Sequence, residues 1–161
     1  TSMKKIRLGK EQAIQRIKQF CAYQERAQQE VRDKLYELGM TTDEVEEIIA
    51  NLIGENFLNE ARFALQFAGG HFRIKGWGKN KINHALQQKR VSPVNIKAAL
   101  KAIDLDDYEK TLLELAHKKW KSLNSERGLK RMAKTQAFLL QRGFEGDLIR
   151  PILQRLHKGD A

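Results

Sequence analysis

The 161-residue chain has one cysteine, two prolines and no apolar run near the roughly 18 residues that a membrane-spanning helix needs. Each scarcity excludes something. Cys21 alone rules out an intramolecular disulfide framework and leaves no cysteine pair for zinc, a usage that fits a reducing cytoplasm. Proline stands only at Pro93 and Pro151 and β alternation is nowhere sustained, so the elements to expect are helices. No charged start leads into an apolar core and a small-residue cleavage site, which reads as no secretory signal, and Thr1 and Ser2 read as additions ahead of a native start at Met3.

The motifs of chemistry are missing too. His71, His84, His117 and His157 lie far apart with no HxxxH or HExxH spacing, so no metal and no cofactor is expected. The GxxxxGK[ST] pattern of a phosphate-binding loop is absent, and the chain is not expected to hydrolyse ATP itself. Cys21 falls on an apolar face with Ile14 and Ile17, the place of a buried thiol rather than a nucleophile. These absences argue against an enzyme.

What the chain does contain is a threefold echo. The strings LYELGMTTDEVEEIIANL, LQQKRVSPVNIKAALKAI and LLQRGFEGDLIRPILQRL begin at Leu35, Leu86 and Leu139. A shift of 51 carries Met40 onto Val91, Val45 onto Ile96 and Ile49 onto Leu100; a shift of 104 carries the same three onto Phe144, Ile149 and Leu153. Gly39 falls on Gly143. A period of about 50 residues marks units too small to bury an apolar face alone, which they bury against a neighbour. Such arrays bind large partners more often than they catalyse.

Helix punctuation repeats with the core. Ala27, Val31, Leu35 and Leu38 share one helical face, and Gly39 suits the left-handed turn that ends it. Thr41 stands three residues before Glu44 as a capping box, and Ser92 before Pro93 starts the equivalent helix of the second unit. Arg90 stands where the other units have glycine, so a different turn is expected there. A further amphipathic helix precedes each pair, which makes every unit a three-helix bundle. In the third unit Val31 and Ile82 shift onto Thr135, a sign of divergence or of a slipped register, and Pro151 calls for a late helix start near Asp147 or a kink. The fold class expected is all-α: three tandem three-helix-bundle repeats (11–58, 59–105 and 106–158) forming an elongated array, after a flexible N-terminal segment 1–10.

The net charge of +10 is unevenly spread: residues 1–24 carry +5, residues 25–60 carry −7 and residues 61–161 carry +12. A basic excess favours a polyanion or an acidic protein surface, although lysine-rich surfaces also serve solubility alone. Glu30, Asp33, Glu37, Asp43, Glu44, Glu46 and Glu47 make the first unit acidic, and ordinary helix-surface acids are the favoured reading of them. The glycine turn between helices invites comparison with a helix-turn-helix reader of DNA. The third helices lack clustered Arg, Asn or Gln at their starts, which argues against base-specific recognition.

FLNEARFALQF at Phe57 to Phe67, GWGKNKINHALQQKRVS at Gly76 to Ser92, FLLQRGFEGDLI at Phe138 to Ile149 and CAYQERAQQEVRDKLYELG at Cys21 to Gly39 closely resemble the bacterial RecX family, regulators of the RecA recombinase. The similarity runs from about Ala13 to Leu156; the Lys89, Arg90, Val91 turn departs from the family's Lys-Gly-Ile type. The resemblance implies tandem three-helix repeats lying along the groove of the RecA filament on single-stranded DNA. It implies inhibition of ATP hydrolysis, strand exchange and coprotease function, in recombination, DNA repair and the SOS response, and in some members DNA binding. The expected partner is therefore the RecA filament, with single- or double-stranded DNA as a further one, no membrane, and a monomeric protein. At 1.5 Å per helical residue, three stacked bundles span on the order of 60 Å, enough to bridge protomers of a polymer.

Two stretches are the candidate contacts. Gly69 and Gly70 are read as opening a loop in which Arg73, Lys75, Lys79 and Lys81 face phosphates or acidic side chains. Phe72 and Trp77 there either stack on a base, enter a protein groove, or close the core between units one and two. The second stretch is Lys118, Lys119 and Lys121 with Arg127, Lys130, Arg131 and Lys134, the last four on one helical face, joined by Lys89, Arg90 and Arg142; a solvated face is the competing reading. A self-sufficient nonspecific DNA binder remains the alternative to a filament regulator.

Overall fold

The structure, a computed structural model, describes residues 7–159. The expected start at Met3 and residues 1–6 of the N-terminal segment lie outside the described residues, and Lys10 already belongs to the first helix. Among the described residues there are nine helices and no strand: α1 (Lys10–Tyr23), α2 (Gln28–Glu37), α3 (Thr42–Gly54), α4 (Glu60–Lys75), α5 (Lys79–Gln88), α6 (Pro93–Lys101), α7 (Leu105–Ser122), α8 (Gly128–Gln141) and α9 (Gly146–Gly159). The third helices open at Thr42, Pro93 and Gly146, offsets of 51 and 104, which are those of the sequence echo.

The physical basis of the echo is one turn used three times. Met40 N–H donates to Leu35 O, Val91 N–H to Leu86 O and Phe144 N–H to Leu139 O, each at 3.1 Å. Inside each, the preceding residue closes a shorter bond: Gly39 to Tyr36, Arg90 to Gln87 and Gly143 to Leu140. This nested pair is a Schellman motif, in which a left-handed residue reverses the chain and an apolar residue beyond it folds back on the last turn. Leu35, Leu86 and Leu139 are fully buried, and Met40, Val91 and Phe144 are buried too. Each such leucine contributes on the order of 2 kcal/mol by leaving water, so the motif persists even where its glycine does not. Arg90 adopts φ 59, beside 88 at Gly39 and 100 at Gly143. The expectation of a different turn is thus corrected: the backbone is the same and an arginine occupies the left-handed position.

Two compact units organise the contacts. The first takes the residues up to Gln66 together with Leu86–Lys97. In it α1, α2 and α3 pack on one another around Ile17, Leu35, Ile48 and Leu52, with Cys21 at the edge of the core. The capping box forms as expected: Glu44 N–H donates to Thr41 Oγ1 and Thr41 N–H to Glu44 Oε1. Ser92 starts α6 differently, because its N–H and hydroxyl both donate to Glu60.

The second unit takes Phe67–Ala85 and everything from Ala98 onward. Here α7, α8 and α9 pack on one another around Tyr108, Leu112, Leu139, Phe144 and Ile149. Thr135 is fully buried at the place of Val31 and Ile82, its hydroxyl donating to Arg131 O at 2.9 Å. The register therefore holds, and the divergence is chemical. Pro151 sits at the sixth position of α9, which opens at Gly146. The start is as late as expected but the proline is still inside, and Asp147 O receives no helical N–H from it.

Gly69 and Gly70 do not begin a loop; α4 continues through them to Lys75, leaving a connection of only three residues, Gly76, Trp77 and Gly78. Phe72, one turn from the end of α4, is buried against Tyr108 with ring centroids 5.6 Å apart. It closes a core with α7 of the third repeat, not one between the first two.

Candidate functional site

The short connection after α4 is built to meet another chain turn. Gly76 takes φ 66, and Gly78 N–H donates to Arg142 O at 2.8 Å while Asn80 N–H donates to Gly143 O at 2.9 Å. The free N–H groups at the start of α5 thereby satisfy the free carbonyls at the end of α8, and two helix ends cap each other. No side chain fits between them. A Cβ on Gly78 would lie 2.3 Å from Gly143 C, and a Cβ on Gly143 2.3 Å from Lys81 Cβ.

This contact gathers residues that are 63 to 67 positions apart in sequence. Arg142 Nη1 donates to Lys75 O at 2.7 Å. Lys75 Nζ and Lys81 Nζ lie 5.4 and 4.6 Å from the centre of the Trp77 ring, against which His71 also rests at 4.6 Å. Lys119 Nζ and the Arg142 guanidinium lie 5.0 and 5.3 Å from the centre of the Phe138 ring. Two aromatic rings are thus each flanked by two cations, and Arg142 links the pairs. Cation–π contact at such half-exposed sites is worth about 0.5–1 kcal/mol, enough to hold long side chains in place before a ligand arrives.

A buried column supports the face. Tyr108 lies between Phe72 and Phe144. Its hydroxyl donates to Glu145 and accepts the N–H of Lys79. Burial, and next the hydrogen bond that the Glu145 carboxylate accepts from it, push the Tyr108 hydroxyl far above the usual tyrosine range. Lys79 also spreads its ammonium 5.0 Å from the Tyr108 ring centre.

The other expected contacts separate. Arg73 is exposed on α4, folded back across Gly69, and Lys118 and Lys121 are exposed on α7. Arg127 stands at the N-cap of α8, and Lys130 and Lys134 pair with Glu126, whose carboxyl the Lys134 bond lowers. Arg131 leaves the contact set: it is buried, stacks on Trp120 and donates from Nε and Nη2 to Trp120 O. The reason is register, because Arg131 occupies the core position that Ala27 and Gly78 hold in the other repeats. Lys89 and Arg90 belong to the first unit, where Lys89 pairs with Glu30 at 3.7 Å. Phe138 and His71 are the residues that sequence reasoning missed. The spacing of four between Phe138 and Arg142 was a usable signal; Lys119 reaches them only through tertiary packing.

The first compact unit contrasts with this. Lys10, Lys18 and Arg32 meet Glu47, Glu55 and Glu46 within 3.0 Å, and Arg62 meets Glu25. The Arg32 bond holds the Glu46 carboxyl below its usual range. Among the described residues no ion pair engages Lys75, Lys81, Lys119 or Arg142. Nor does any group of His, Cys, Asp and Glu there suit a metal ion, and no helix is long and apolar enough to cross a membrane.

Fold and site together define a class: a tandem three-helix-repeat protein with an uncompensated cationic face backed by aromatic rings. The three repeats can be placed within a family. Residues 13–52, 59–100 and 106–153 match, in order, the RecX first, second and third three-helix domains. The Regulatory protein RecX of Clostridium perfringens (strain 13 / Type A) is 33% identical over 133 residues, 81% of this chain and 62% of the relative. That of Prosthecochloris aestuarii is 29% identical over 144 residues, 89% of this chain and 93% of the relative. The crystal structure of RecX from Lactobacillus salivarius has the same fold, with a TM-score of 0.84, 24% identity and coverage of 91% of this chain and 96% of that one. The chain belongs to the RecX family of regulatory proteins, and it spans about three fifths of the length of the Clostridium relatives it matches.

Proposed function

We propose that this protein is a monomeric cytoplasmic regulator that binds the RecA filament on single-stranded DNA. It lowers the filament's ATP hydrolysis, strand exchange and coprotease activity during recombination, DNA repair and the SOS response. The observation that carries the reading is the contrast in charge: carboxylates neutralise Lys10, Lys18, Arg32 and Arg62, whereas Lys75, Lys81, Lys119 and Arg142 stand on Trp77 and Phe138 without any. Cations held in place and left uncompensated suit an anionic partner. The family's regulatory name supports the rest, and three consecutive repeats, 11–58, 59–105 and 106–158, suit a partner that is itself repetitive.

Such a ligand acts by differential affinity. Binding one filament state more tightly than another shifts the population away from the state that turns over ATP, and no reacting group is needed. The lysine content of the face favours a second reading, because lysine is depleted at protein–protein interfaces and common on phosphates. Binding to preformed filaments and to bare single-stranded DNA, each across a salt series, separates the two. A filament ligand holds the filament far more tightly than bare DNA. A pure phosphate binder takes both alike and loses affinity linearly in log–log form as salt rises.

A further inference from the structure

The groove between the first and third helices of a repeat occurs in both compact units, bridged in one and open in the other. In the first, Lys10 on α1 meets Glu47 on α3 at 2.9 Å, and Lys18 meets Glu55, just past α3, at 3.0 Å. These two ion pairs stand one turn either side of Ile14, which lines a cavity of about 230 Å³ with Ile48 and Leu52. In the second, α7 and α9 enclose a cavity of about 240 Å³ lined by Glu109, Leu113, Leu148, Pro151, Ile152 and Arg155. The offset of 104 places Pro151 and Gly159 where Glu47 and Glu55 stand, so both acids of the bridges are gone. Among the described residues no ion pair joins α7 to α9. Leu113, Leu148, Pro151 and Ile152 all keep part of their surface in water, although apolar side chains gain by leaving it.

We infer that this groove docks an amphipathic helix of a protein partner; the inference rests on the reading of the protein as a filament ligand. The lining selects protein over nucleic acid. Its floor is aliphatic, so a base finds no ring to stack on, and its one cation, Arg155, is matched by Glu109, which repels phosphate. An acid and a base on the rim, neither held in an ion pair, complement a helix that flanks its apolar stripe with charges of both signs. Two neighbouring helices also present the ridges between which a third helix packs. The lysine-bearing face around Trp77 and Phe138 contains none of these residues, so the two surfaces separate by mutation.

The test is Leu113→Lys in the full chain, with Leu113→Gln beside it, read by thermal melting, by sedimentation and by affinity for RecA filaments and for bare single-stranded DNA. Leu113 is 39% exposed, so a lysine stem covers what the leucine covers while its ammonium reaches water, and Tm falls by no more than about 4 °C. Filament affinity falls about tenfold in both variants, whereas binding to bare DNA is unchanged in Leu113→Gln and unchanged or tighter in Leu113→Lys. Should the lysine lower Tm further, Leu113→Gln carries the test with the same expectation. Unchanged filament affinity overturns the inference, and so does a loss confined to the lysine variant, which marks charge rather than apolar contact. Tighter binding of the lysine variant to filaments assigns the groove to phosphate, and wild-type self-association that both variants abolish assigns it to a second copy; either overturns it. A wild type that binds no filament overturns the functional reading itself, a result none of the others gives.

Discussion

Glycines in this chain do different jobs, and substitution separates them. Gly143→Ala puts a Cβ 2.3 Å from Lys81 Cβ at φ 100, so strain and a backbone clash add; we expect a loss of about 3 kcal/mol in urea unfolding. Gly70→Ala, inside α4 with nothing within 4 Å of the new methyl, should instead gain about 0.5–1 kcal/mol. Burial raises the Cys21 thiol to about 11. Its pKa is thus higher in the folded than in the unfolded chain, so its contribution is intact below pH 9 and is lost as pH rises toward 11. Stability should fall across that window, with a shallower slope in Cys21→Ala, and a thiol reagent at pH 8 should label the unfolded chain much faster than the folded one. Gly39 and Gly143 were legible from the echo. Gly78 was not, because the backbone that crowds it comes from residues 143 and 144.

Helix ends set the boundaries of the elements. Thr41→Ala removes the acceptor for Glu44 N–H and should cost about 1 kcal/mol. The bonds from Thr41 hold the Glu44 carboxyl below its usual range, so that contribution is present at neutral pH and disappears as acid protonates it. Because the larger part of that effect comes from the Thr41 backbone N–H, which alanine keeps, the acid-induced loss should persist in Thr41→Ala and vanish in Glu44→Gln, as unfolding across about pH 3–7 would show. Arg131→Ala leaves Trp120 O without two donors and should cost about 2 kcal/mol. Sequence spacing put Arg131 on a face with Arg127, Lys130 and Lys134, yet it equally sits four residues before Thr135 and eight before Leu139. The inner face won, because α8 extends one turn earlier than α2 and α5 and brings Arg131 over the end of α7. The loop expected at Gly69 failed for a related reason: two glycines cost α4 only about 2 kcal/mol, which burial of Ala68 and Phe72 offsets.

For the molecule as a whole, the repeat order and the nine helices of the described residues followed from periodicity, whereas the contact face required the meeting of two turns. Lys75, Lys81 and Arg142 were visible as basic residues; their shared rings were not. The central claim is that this face makes the protein a ligand of the RecA filament. The direct measurement is single-stranded-DNA-dependent ATP hydrolysis by RecA after filaments have formed, comparing the wild type with a variant carrying alanine at Lys75, Lys81, Lys119 and Arg142, its helicity checked by circular dichroism. The account predicts that the wild type inhibits below one molecule per RecA protomer and still does so with excess DNA, while the variant needs at least about tenfold more. Absence of inhibition by the wild type, or inhibition that extra DNA abolishes, would contradict it.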